Sequence, residues 1–142
     1  MAERYLPHLI SSWRIAIVLA VEPDQVSPRT GVGNALAAET LEDLVVPLDA
    51  PSILRSVVDT RRPHVGDAVD RSGAPREAWL FGLATADARE LAVAPVIVGD
   101  RVVRIIVAVG ARLEIGAAAG EVIRAARLMV DAYARASDGR RP

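Results

Sequence analysis

The chain contains no cysteine. That single absence excludes disulfide bridges, thiolate metal ligands and cysteine nucleophiles together. Lysine is absent too, so all 17 basic residues are arginine, a bias that with heavy Ala, Val and Gly use matches a GC-rich bacterial coding sequence. Histidine occurs twice, at His8 and His64, far apart and with no His-x-x-x-His spacing, which leaves no zinc-ligand pattern. Net charge is also missing: the formal value of −1 gives no general attraction to nucleic acid or anionic lipid. The N-terminal apolar run, flanked by Glu3 and Arg14, lacks the charged-then-apolar order of a signal peptide. The most apolar segment, 91–110, carries Asp100, Arg101 and Arg104 and is no membrane span. These absences predict a cytoplasmic protein with no cofactor, no metal, and neither nucleic acid nor membrane as partner.

What is present is enough to build a core. Hydrophobic residues make up 51% of the 142 and charged residues 25%, a balance that argues for a folded chain and against disorder. The length favours one domain, expected over 1–136, with "SDGRRP" (137–142) as a disordered tail. Residues 3–13 place Tyr5, Leu6, Leu9, Ile10 and Trp13 at helical spacing, with Pro7 tolerated only in the first turn. "RIAIVLAV" (14–21) reads as a central strand covered on both faces. A ragged strand around Val26 or Val32 is expected next, then a short helix or ordered loop over 35–44. "VVPL" (45–48) reads as a brief edge strand, because Pro47 cannot donate to a ladder.

"DAPSILRSVVDTRRP" (49–63) has Asp49 or Ser52 to cap a helix and Ile53, Leu54, Val57 and Val58 as its buried stripe, with Pro63 as its stop. "HVGD" (64–67) is a short strand, and 72–84 reads as a helix with Trp79, Leu80 and Leu83 on one side. The C-terminal helix, about 117–136, carries Val122, Ala126, Met129 and Tyr133 on one stripe, widened by Ile123 and Val130. Arg124, Arg127, Asp131 and Arg135 form its solvated side.

"LAVAPVIVGDRVVRIIVAVG" (91–110) reads as a hairpin whose Gly99-Asp100 loop has the signature of a type II′ turn. Pairing Val98 with Arg101 and running the register back uninterrupted puts Ala92, Ala94, Val96, Val103, Ile105 and Val107 on one face. Leu91, Val93, Pro95, Ile97, Val102, Arg104, Ile106 and Ala108 fall on the other, with Pro95 opposite Arg104. Both faces are apolar, so both must be covered. Pro95 should interrupt the ladder toward the next strand and open a cleft there.

In element order, and in the segments "PLDAPSILRSVVDTRRPHVGD", "LAVAPVIVGDRVVRIIVAVG" and the closing helix, the chain resembles the GAF-domain family of small sensor modules. The resemblance implies an α/β (α+β), GAF/profilin-like fold: a central antiparallel sheet, the N- and C-terminal helices on one face, short helices and loops on the other. It also implies a ligand pocket on the loop side, where the family has one, and homodimerisation through the terminal helices. The chain departs from the family's known activities. It lacks a cysteine for bilin attachment, the NKFDE-type set of cyclic-nucleotide binders, and the cysteines of the methionine-sulfoxide-reducing members. Arg104 stands where many relatives carry a small residue.

The candidate ligand- or partner-binding residues are Trp79, Pro95 and Arg104, with no catalytic residue expected. Trp79 reads more simply as core and Arg104 as a snorkelling side chain. "GVGNAL" (31–36) has Leu36 where a dinucleotide loop needs its third glycine. Arg61 and Arg62 suit the negative end of a helix dipole. Asp67, Asp70 and Glu77 match no calcium-loop spacing, and His64 has no Ser-Asp signature beside it. The expected function is therefore a non-enzymatic regulatory module binding a small ligand or a signalling protein. The rival is a roadblock/longin-like scaffold for a small GTPase or other protein partner, distinguished by helices confined to one face of a five-stranded sheet.

Overall fold

In the computed structural model the described residues are 15–33, 42, 44–72, 74–80, 83, 90–110 and 123–130. Six strands, β1 (Ile15–Val21), β2 (Gln25–Gly33), β3 (Val46–Pro47), β4 (His64–Asp67), β5 (Glu90–Val98) and β6 (Arg101–Gly110), form one antiparallel sheet. Their order is β3-β2-β1-β6-β5-β4, which puts the all-apolar β1 in the middle and Pro47 at an edge. The second strand is longer than the ragged segment expected, because a bulge at Arg29 lets β2 follow β1 past Pro28.

Side-chain size explains the two layers. In β1, Ile15, Ile17 and Leu19 point to one face, and the smaller Ala16, Val18 and Ala20 alternate to the other. On the first face lies helix α1 (Ile53–Thr60), whose Leu54 and Val57 are buried, together with a 3-10 turn at Ala78–Leu80. On the second face lies α2 (residues 123–130), which packs Ala125, Ala126 and Met129 against Ala16, Val18, Ala92, Ala94 and Ala108. Larger side chains dominate the α1 layer, and alanines make up much of the α2 layer.

Helix α1 starts where Ser52, extended at φ −159° and ψ 168°, accepts a hydrogen bond from the Arg55 amide. Glu77 reinforces the start: both its carboxylate oxygens accept from the Ile53 amide, at 3.0 and 2.9 Å. The helix ends before Pro63, at Arg61, whose left-handed backbone (φ 59°) sends its amide back to the Val57 carbonyl.

The expected helix over 72–84 is not formed over its described part. Residues 74–77 are non-helical, Pro75 bridges to Val69, and only Ala78–Leu80 makes a 3-10 turn. Two tertiary ties compete with a helix here: Glu77 is drawn to the Ile53 amide, and the Arg76 amide donates to the Ala68 carbonyl. Trp79, Leu80 and Leu83 are nonetheless buried together, as their spacing predicted.

The hairpin turn holds as read. Gly99 has φ 67°, and Arg61 is the one non-glycine with positive φ among the described residues, so Asp100 takes a negative φ as a type II′ turn requires. The register below the turn does not hold. Ile97 pairs with Val102 but Val96 pairs with Arg104, leaving Val103 as an extra, bulged residue. The slip sends Ile105 and Val107 to the face of Leu91 and Val93, and Ile106 and Ala108 to that of Ala92 and Ala94. Pro95 consequently faces Ile105, not Arg104. The outer ladder does stop short of Pro95, ending at His64 opposite Val93.

Both faces of the ribbon are closed, as the lack of polar alternation required. Ile105 and Val107 are 0% exposed under the α1 layer, and Ile106 and Ala108 are 0% exposed under α2. Six strands with helical segments on both faces are not the roadblock/longin arrangement. The expected N-terminal helix, the ends of the C-terminal helix and the tail 137–142 lie outside the described residues. No helix among the described residues is long and apolar enough to cross a membrane.

Candidate functional site

Because β1 and β6 are antiparallel neighbours, the end of β1 and the start of β6 fall at the same end of the sheet. The C-terminus of α1 reaches that end as well. The three segments enclose an open cleft of about 430 Å³. Most of its accessible lining is polar; Val21, Leu48, Val58 and Val102 are half-buried at its base and pack on the outer edge of the α1-side core. Its rim is charged and balanced, with Glu22, Asp59 and Asp100 set against Arg55, Arg61 and Arg101.

Local structure fixes much of this rim. Arg55, Val58 and Asp59 are three and four residues apart and so share one side of α1. Arg55 meets Asp59 at 3.5 Å and also donates to the Asp49 carbonyl at 3.4 Å. Glu22 is aimed by Gln25 Nε2 at 2.7 Å and Ser27 Oγ at 2.9 Å. The Glu22 amide donates to the Gln25 carbonyl, and the Leu48 amide to the Asp24 carbonyl, which ties the β1–β2 turn to the floor. Arg61, Asp100 and Arg101 have neither a hydrogen bond from their side chains nor an ion pair among the described residues.

The three residues expected to bind are not brought together. Trp79 is 8% exposed, lies in the α1-side core, and donates its indole N–H to Glu77 Oε1. It is a packing residue that steadies the carboxylate capping α1. Pro95 lies on β5 in the alternation of Leu91 and Val93, on that same face. Arg104 stands opposite Val96 and Ala20, on the α2 face, and donates to the Val103 carbonyl at 2.9 Å. None of the three lines the cleft.

Other polar groups singled out in the sequence do not converge either. Asp70 is occupied by its own loop, accepting from the Ser72 amide and hydroxyl and the Ala74 amide. Glu77 is committed to α1, and Asp67 sits on β4 opposite Glu90. No group of three potential metal ligands occurs among the described residues. His64 faces Val93 across the ladder, with its buried Nε2 unpartnered among the described residues. The sequence assigns Arg61 to the helix dipole and Asp100 and Arg101 to the hairpin turn, and gives Glu22 no role. The missing signal was topological, since pairing β1 with β6 is what brings both turns to one place.

No protein-family model matches the sequence, and no curated protein matches it. Solved structures do match. The second GAF domain of DevS from Mycobacterium smegmatis aligns at a TM-score of 0.68 over 99% of this chain and 98% of that one, with 18% identity. The GAF domain of a two-component sensor histidine kinase from Bacillus halodurans aligns at 0.62 over 94% and 97%, with 12% identity. The chain has the GAF-domain fold. The type II free methionine-R-sulfoxide reductase from Thermoplasma acidophilum also aligns, at a TM-score of 0.67 over 92% and 87% with 11% identity. This GAF fold has no cysteine anywhere in its 142 residues, so thiol chemistry is closed to it.

Proposed function

We propose that the chain is a non-enzymatic regulatory module of GAF type whose recognition site is the cleft at the turn end of the sheet. One observation carries the reading. The cleft sets half-buried valines and a leucine beside oriented and unengaged charges, whereas the carboxylates of Asp70 and Glu77 are tied into a loop and a helix cap. Such a mixture suits binding, in which apolar contact gives affinity and a few placed polar groups give selectivity. The cleft's lining includes no serine, threonine or histidine among the described residues, which favours recognition over nucleophilic chemistry. The fold shared with a sensor kinase's GAF domain supports a signalling role.

The module acts as a homodimer through its terminal helices. In support, α2 seals the sheet with Ala125, Ala126 and Met129 yet leaves Leu128 exposed on its outer side. Occupancy of the cleft and the state of the dimer are then the input and output of one small domain.

Thermal-shift screening of nucleotides and metabolites against the wild type and Arg101→Ala tests the recognition site. Arg101 is exposed, so its loss leaves stability nearly unchanged. The expected result is at least one compound that raises the Tm of the wild type and not of the variant. Hits indifferent to Arg101, or turnover of any compound, would overturn the reading.

A further inference from the structure

We propose that the bulge in β6 is a two-position switch, which sits at Val103 in this structure and slides to Val102 by exchanging which valine pairs with Ile97. Three observations carry this. Val102 and Val103 are consecutive and identical, so either one satisfies the pairing with Ile97 at equal size and polarity. The bulge lies just beyond the last β1–β6 pair, Ala20 with Arg104. Residues 101–103 therefore have one partner strand among the described residues, and a slide breaks pairing on one side only. Finally, every residue from Arg104 onward keeps its partner in both positions. A full register slip would flip Ile105, Ile106 and Val107 out of their layers. A slide confined between the Gly99 turn and Arg104 flips none of them.

The slide carries one side chain across the sheet. With the bulge at Val103, Val102 packs on the α1-side core and lines the cleft. Val103 packs at the edge of the α2-side core, as does Val130 of α2. With the bulge at Val102, Val103 takes the place opposite Ile97, and residues directly opposite share a face. Val103 then joins the α1 face at the cleft, and the α2-side core loses it. Both valines are half-buried here, so neither position requires the sealed part of the core to open. The bulge thus links the cleft to the support of α2, since an occupant that favours Val103 on the cleft side shifts the balance. This link rests on the cleft being the recognition site; the slide itself does not.

The test is relaxation-dispersion NMR of the whole chain without ligand. A minor state of about 1–10% should exchange on the μs–ms scale at the Val102 and Val103 methyls and the amides of 96–103. Val130 should share that rate, and Ile105 to Ala108 should be silent. Asn suits an irregular backbone better than a strand pair. Val103→Asn should therefore fix the bulge where it lies and silence the exchange. Val102→Asn should move it, shifting the Val103 methyl NOEs from the Val96 side chain to that of Ile97. Unchanged Ile105 and Ile106 methyl shifts report that both variants are folded. A flat profile in the wild type, or Val103 still against Val96 in Val102→Asn, would overturn the switch; a silent Val130 would overturn its link to α2. Exchange with no Arg101-dependent compound in the thermal screen would sink the cleft and leave the sliding bulge, and a flat profile with such a compound would do the reverse.

Discussion

Ile105 and Ile106 are consecutive, point to opposite faces of the same strand, and are both fully buried. Neither face of β6 is therefore a solvent face, and the two layers contribute separately to stability. Ile105→Ala and Ile106→Ala should each destabilise the domain by about 2–5 kcal/mol, measured by urea unfolding. A sheet with one wet face would tolerate one of them nearly without cost.

Glu77 ties the start of α1 to the 3-10 turn, accepting from the Ile53 amide and from the Trp79 indole. Glu77→Ala removes a charged N-terminal cap and leaves a partly buried indole N–H unsatisfied. It should cost about 1–3 kcal/mol and speed hydrogen exchange at Ile53. Trp79→Phe, which keeps the ring and loses the donor, should cost less than Glu77→Ala. The reverse order would show that the carboxylate is not the cap.

Two backbone positions should respond in opposite directions. Gly99 has φ 67° and open space around it, so Gly99→Ala meets no clash yet should lose at least about 1 kcal/mol through the backbone alone. Arg61→Gly should gain up to about 1 kcal/mol for the converse reason. Thermal melts of both variants, read side by side, check the pair.

The dimer proposal makes its own demand on α2. Leu128 is 39% exposed while its neighbour Met129 is fully buried against the sheet. Leu128→Asp should shift the chain from dimer to monomer in sedimentation equilibrium without unfolding it. A wild type that sediments as a clean monomer at high concentration contradicts the proposal.

The strands and α1 were legible because each carries a local signal. β1 and the hairpin are continuous apolar runs, Gly99-Asp100 sets the turn, and Ser52 sets the start of α1. Two features escaped because they are decided by partners distant in sequence. The bulge at Val103 has no turn residue to announce it, and its only trace is side-chain size. Ala92, Ala94 and Ala108 share the α2 face with Val96 and Ile106, and Leu91, Val93, Ile105 and Val107 share the α1 face. The segment 74–80 has helical spacing, but Glu77 is claimed by an amide 24 residues away. For the same reason Pro95 and Arg104, expected opposite each other on one face, lie on different faces of the sheet.

The most direct test of a sheet sealed on both sides, with access confined to its turn end, is methyl NMR with a soluble paramagnetic gadolinium agent. The methyls of Ile105 and Val107 on one side, and of Ala92, Ala94 and Ala108 on the other, should show no relaxation enhancement. Those of Val21, Leu48, Val58 and Val102 in the cleft should show it clearly. Enhancement of either buried set to the level of the cleft methyls would contradict the account.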